Sequence, residues 1–175
     1  IGGAPNRIIF GFMVASAFLS MWISNTATAL MMVPIGLAII LKMEDSFGVT
    51  DTRRFTTCLM LGIAYGCSIG GVTTLVGTPT NLAFVSLFQI AFPQAEPITF
   101  GTWFIMALPM NAIMIVVVWL MLTKVLFRIP TSLAIDRTIV SKEYKELGTM
   151  SFEERTVLIF FSLTALLWVF RKDIV

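Results

Sequence analysis

The sequence predicts an all-α integral membrane fold built from a re-entrant helical hairpin and a broken transmembrane helix. Three observations carry that expectation. Of the 175 residues, 57% are hydrophobic and only 13% are charged, against about 25% charged in soluble domains. The charges are segregated: Arg7 is the only one before Lys42, and Glu96 is the only one between Phe55 and Thr123. Small polar residues interrupt the apolar runs at two places, Ser24-Asn25-Thr26 and Ser68 through Asn81. Irregular backbone at membrane depth is tolerated only where protein buries it or it lines a cavity. Both interruptions are therefore candidate binding sites.

The same composition excludes several classes. Basic residues flank apolar segments instead of forming a face, so no nucleic-acid partner is expected. With no histidine in the chain and Cys58 and Cys67 inside apolar runs, neither a zinc site nor a Cys-His nucleophile can be assembled. There is no acidic pair at membrane depth either, so the chain is not expected to be an enzyme. It opens on Ile1-Gly2-Gly3-Ala4-Pro5 and stops at Arg171-Lys172-Asp173-Ile174-Val175, directly after an apolar span. Such ends read as a piece of a larger chain.

Residues 1–41 predict the hairpin. Pro5 or Asn6 opens a helix from Arg7 to Ile23, about 24 Å long against a hydrocarbon core of about 30 Å. The second helix, Ala27 to Leu41, is shorter still and carries Pro34. Two short apolar helices joined by a polar tip at 24–26 fit a re-entrant hairpin better than two thin, tilted spans. Residues 42–54, with Lys42, Arg53 and Arg54, predict a cytoplasmic loop. Residues 55–92 exceed the roughly 20 that one span needs and predict a transmembrane helix broken by a loop at 68–81. The basic-free segment near 93–98 fits the outer side.

Residues 99–128 then predict a transmembrane helix, with Trp103 and Trp119 as interfacial or packing aromatics. A cytoplasmic linker follows at 129–150, with room for a surface helix. Residues 151–171 predict another transmembrane helix, with Ser151 as N-cap and Glu153 and Glu154 in its first turn. Arg171 and Lys172 then fall on the outer side, against the positive-inside rule. Ser16, Thr56, Thr57 and Ser68 are assigned to bonding their own i−4 carbonyls or to helix contacts. Gly62 and Gly66 are assigned to close helix approach.

The chemistry of the interruptions follows from helix ends. C-termini leave carbonyls without partners and N-termini leave amides without partners. Carbonyls, with the hydroxyls of Ser20 and Ser24 and the amide oxygen of Asn25, are neutral hard oxygens suited to Na⁺. Amides at the positive end of a helix suit an anionic oxygen. At the second interruption Thr78 is the expected N-cap and Pro79 the first helical residue. Gly70, Gly71 and Gly77 permit positive φ and close backbone approach. Broken helices with small polar loops are how secondary transporters build sites for substrate and coupling ions.

Two motifs carry a family resemblance: Ser24-Asn25-Thr26 followed by Ala27-Thr28-Ala29, and Ser68-Ile69-Gly70-Gly71 followed by Thr74-Leu75-Val76-Gly77-Thr78-Pro79 and Asn81. The sequence resembles the divalent anion/sodium symporters, which include the INDY-type dicarboxylate transporters and the sodium-coupled citrate and sulfate carriers. Thr80 stands where many members have a second proline. The resemblance implies one half of an inverted-repeat transporter, with the 151–171 helix starting the second repeat. It implies substrate binding by Ser24, Asn25, Thr26, Thr78 and Pro79. It implies a sodium site at Ser20, Ser24, Asn25, Gly71, Thr73, Thr74 and Gly77.

The activity it implies is sodium-coupled symport of a di- or tricarboxylate or of sulfate across the plasma (inner) membrane. Na⁺ would be the coupling ion, a small anion the substrate and the lipid bilayer the surroundings. A homodimer with elevator-type movement is also implied. Sodium-independent anion exchange and a non-transporting scaffold subunit are the alternatives. Only one Ser-Asn-Thr is present, so these residues supply one sodium site and one side of the substrate site.

Overall fold

The computed structural model describes residues 4–129 and 150–169. The described residues form helices α1 (Pro5–Ser20), α2 (Asn25–Phe47), α3 (Val49–Thr73), α4 (Pro79–Ala91), α5 (Phe100–Leu120) and α6 (Phe152–Val169). A π-helical turn, Met121–Leu126, continues α5. The described residues are all-helical in their regular structure, and among them three helices are long and apolar enough to cross a membrane: α2, α3, and α5 with its π-turn.

The interior holds an apolar cluster around Met13, Met43, Phe55 and Ile63 together with a buried polar set, and the outer surface is rich in large apolar side chains. Ser16, Ser20, Thr28, Thr73, Thr74, Asn81 and Asn111 are buried, whereas Leu30, Ile90 and Ile105 are each more than 70% exposed. Large apolar side chains left exposed while polar ones are buried are accounted for by a bilayer-facing surface. α3 is the central strut. α1 packs along it most extensively, with α2 and α5 also against it. A Cβ on Gly66 would lie 2.7 Å from the Met13 carbonyl oxygen, and one on Gly70 would overlap the backbone of Ala17. Gly66 and Gly70 thus let α1 backbone lie directly on α3, and Gly62 continues the stripe against the Met13 and Ile9 side chains, the close approach that small residues permit.

Several expectations are corrected. The loop expected at 42–54 is a single glycine turn. α2 runs on through Pro34 to Phe47, Gly48 reverses the chain at φ +85°, and α3 begins at Val49. Met43 and Phe55 are fully buried, so the charged residues decorate the outer faces of two helix ends instead of forming a loop. α2 is consequently 23 residues long, and the shortness expected of the second hairpin helix does not hold. The break expected at 68–81 is narrower: α3 stays helical through Gly70 and Gly71 to Thr73, and α4 starts at Pro79.

Other elements fall where expected. Pro5 opens α1. Ser151 caps α6 reciprocally, its Oγ accepting from the Glu154 amide at 3.2 Å while its own amide donates to Glu154 Oε2 at 2.8 Å, a capping box. Thr57 and Ser68 donate to the i−4 carbonyls of Arg53 and Ala64. Ser16 instead packs on Gly66 of α3, the helix-contact role, and the buried Thr56 hydroxyl has no hydrogen-bond partner among the described residues. Trp103 and Trp119 pack with their ring nitrogens paired: Trp103 Nε1 donates to the Val72 carbonyl at 3.0 Å and Trp119 Nε1 to that of Asn6 at 2.9 Å. The Trp119 bond brings the C-terminal end of α5 to the start of α1. Arg7, Lys42, Arg53, Arg54 and Lys124 therefore share one end of the bundle, with Glu96 in the turn leaving α4. The 129–150 linker, its surface helix, and Arg171 and Lys172 lie essentially outside the described residues.

Candidate functional site

Four helix ends meet on the side of the bundle opposite the basic residues. α1 ends at Ser20 and α3 at Thr73, presenting carbonyls; α2 starts at Asn25 and α4 at Pro79, presenting amides. The meeting follows from the chain path. The Gly48 turn folds α2 against α3, and the glycine stripe holds α1 on α3, so the tip at 21–24 lies beside the α3–α4 break.

The tip is organised by its own residues. Ser24 caps α2, its Oγ accepting from the Ala27 amide at 3.3 Å while its carbonyl accepts from the Thr28 amide at 3.0 Å. Ser20 Oγ donates to Asn25 Oδ1 at 2.7 Å, tying the last residue of α1 to the first of α2. The Asn25 amide covers Gly71, where a Cβ would collide with Oδ1. A Cβ on Gly77 would lie 2.5 Å from the Gly71 carbonyl oxygen and 2.8 Å from that of Ser20. Ser20 Oγ and carbonyl, Asn25 Oδ1 and the Gly71 carbonyl therefore converge, with glycine on the two sides where a side chain would fill the space.

The glycines act by lacking a Cβ and not by conformation. Among the described residues the only glycine with positive φ is Gly48, so the positive φ expected at Gly70, Gly71 and Gly77 is absent and close approach alone explains them.

The break is held by donors from elsewhere. Thr74 Oγ1 donates to the Met21 carbonyl in the tip and accepts from the Gly77 amide at 3.1 Å, bridging both interruptions. Asn81 Nδ2 donates to the carbonyls of Gly71 at 2.9 Å and Thr74 at 2.6 Å. Asn111, buried in α5, donates from Nδ2 to Thr73 Oγ1 at 3.1 Å. With Trp103 on the Val72 carbonyl, the carbonyls that a helix C-terminus leaves orphaned are met by side chains of α4 and α5.

The expected site residues thus divide. Ser20, Gly71, Thr74 and Gly77 are buried around the oxygen cluster, with Asn25 half-buried beside them. Ser24, Thr26 and Pro79 are exposed and Thr78 half-exposed. Thr73 is set apart: its hydroxyl donates to the Ile69 carbonyl at 3.3 Å and accepts from Asn111, which commits it to the α5 side. Thr78 occupies the N-cap position without a capping bond, its Oγ1 lying 3.3 Å from Thr80 Oγ1. Asn111 and the indole of Trp103 were not singled out for the site from sequence. The signal for Asn111 was an amide two residues after Pro109 in an otherwise apolar span.

The cluster offers neutral oxygens only, and no group of three His, Cys, Asp or Glu able to hold a metal occurs among the described residues. That donor set suits a hard cation of low charge. The adjacent starts of α2 and α4 suit an anion.

Comparison with known proteins places the sequence in a family. The citrate transporter family model matches residues 1–172. The sodium-dependent dicarboxylate transporter SdcS of Staphylococcus saprophyticus is 38% identical over 98% of this chain and 34% of its own length. SdcS of Staphylococcus aureus is 37% identical with the same coverage. The chain spans about a third of the length of these curated relatives. With its apolar spans and two polar breaks, it is a multi-pass membrane protein that belongs to the citrate transporter family, among the divalent anion/sodium symporters its motifs resemble.

Proposed function

We propose that this chain supplies one sodium site and one side of the substrate site of a carrier that couples Na⁺ entry to transport of a divalent anion, a dicarboxylate or citrate, across the plasma membrane. The observation that carries the proposal is the convergence of Ser20, Asn25 and the Gly71 carbonyl beside Gly77. The names of the relatives, sodium-dependent dicarboxylate transporters, support both ion and substrate class. In this reading Ser20, Asn25, Gly71, Thr74 and Gly77 form the ion site. Ser24, Thr26, Thr78 and Pro79, at the accessible starts of α2 and α4, face the carboxylate.

Residues 20–28 and 68–81 contain no Arg or Lys, so the cation and the two helix N-termini offset the anion's charge. Cation binding before the anion follows from that electrostatics. The re-entrant course of α1 and α2, homodimerisation and elevator-type movement belong to the same proposal and rest on the family resemblance.

The test is uptake of labelled succinate and citrate into proteoliposomes holding the intact protein, with an inward Na⁺ or K⁺ gradient. Uptake driven by Na⁺ alone is expected, and Asn25→Ala abolishes it while leaving the protein folded. Equal uptake in both cations, with counterflow independent of Na⁺, would instead identify an exchanger.

A further inference from the structure

We infer that Asn81 is a positioning residue for the cation site, acting through the Gly71 carbonyl; this rests on the sodium reading above. Asn81 lies in the first turn of α4, 5% exposed. Its side-chain nitrogen carries two hydrogens, and both are engaged, one on Gly71 and one on Thr74. Gly71 belongs to the last turn of α3 and Thr74 is its C-cap. One amide therefore spans the end of the helix and the start of the break.

Without that donor the Gly71 carbonyl would be an orphaned helix-terminal acceptor, free to turn to another partner. With it, one lone pair is held and a second remains, on the carbonyl that meets the Ser20 carbonyl beside Gly77. The donor nitrogen itself cannot ligate a cation. Its effect is to fix the direction and spacing of an oxygen that can. Because α4 also starts at the proposed anion-facing edge, Asn81 links the geometry of the two half-sites through one side chain.

The experiment uses the intact protein in proteoliposomes, measuring succinate uptake against Na⁺ and against Li⁺ concentration. Outer-shell partners of metal ligands are typically worth about 10–100-fold in affinity, so Asn81→Ala is expected to raise half-saturating Na⁺ by at least about tenfold. The maximal rate should be largely kept, and the Na⁺/Li⁺ preference should change. Asn81→Ser retains one donor, keeps a partner at the break should the alanine variant fail to accumulate, and is expected to give a smaller shift in the same direction. Half-saturating Na⁺ and the Na⁺/Li⁺ ratio unchanged in the folded variants, with only the rate or thermal stability lowered, would reduce Asn81 to a structural staple and overturn the inference. Uptake by the unsubstituted protein that ignores Na⁺ would overturn the sodium reading itself.

Discussion

The two polar breaks are built differently. At the tip most bonds are local: Ser24 caps α2 three residues on and Ser20 reaches Asn25 across the turn, with only the Met21 carbonyl served from the break, by Thr74. At the α3–α4 break, Trp103 lies 31 residues from its acceptor, Asn111 lies 38 from its own, and Thr74 bonds a carbonyl 53 residues away. A locally capped tip can hold its shape while its outer residues stay exposed. A break braced from α1, α4 and α5 is buried and changes only if its neighbours do. In the proposed function the exposed starts of α2 and α4 meet the exchanging ligand, and the buried oxygens shared by tip and break set the ion geometry.

Substitutions can break that division. The largest effect is expected at Gly70, where a Cβ meets Ala17 backbone that cannot move aside. Overpacking of this kind costs about 1–3 kcal/mol and sometimes more, so Gly70→Ala should sharply lower the thermal unfolding midpoint of the intact protein. Next is Thr74→Val, which keeps the shape but strands the Met21 carbonyl and the Gly77 amide. At about 1–3 kcal/mol for buried groups left unpaired, it should lower stability and raise half-saturating Na⁺ together. The smallest effects compare the caps. Ser24→Ala removes a capping bond and is expected to cost about 0.5–2 kcal/mol, whereas Thr78→Ala removes none and should stay within about 0.5 kcal/mol in thermal unfolding. Equal losses at the two positions would erase the contrast.

What the sequence made legible follows the same line. Ser24-Asn25-Thr26 stood out because its polar groups act locally, within an apolar run. The opening of α4 at Pro79 and the Ser151 cap were legible for that reason too. The expected break exceeds the observed one because Gly70 and Gly71 suggest loop, whereas they are helical positions kept bare for Ala17 and Asn25. The charges of 42–54 mask its helical character, and buried Met43 within it and Phe55 just after it carry the inward face. The roles of Asn81, Trp103 and Asn111 depend on partners brought together only by folding, which no local pattern encodes.

The central claim is that the two breaks make one ion site. A double-mutant cycle on half-saturating Na⁺, with Ser20→Ala, which removes the hydroxyl bonded to Asn25, Thr74→Val and both together, tests it most directly. Residues of one network couple by about 0.5–3 kcal/mol, so the double variant should be little worse than the worse single one. Effects that simply multiply, as for two independent sites, would contradict it.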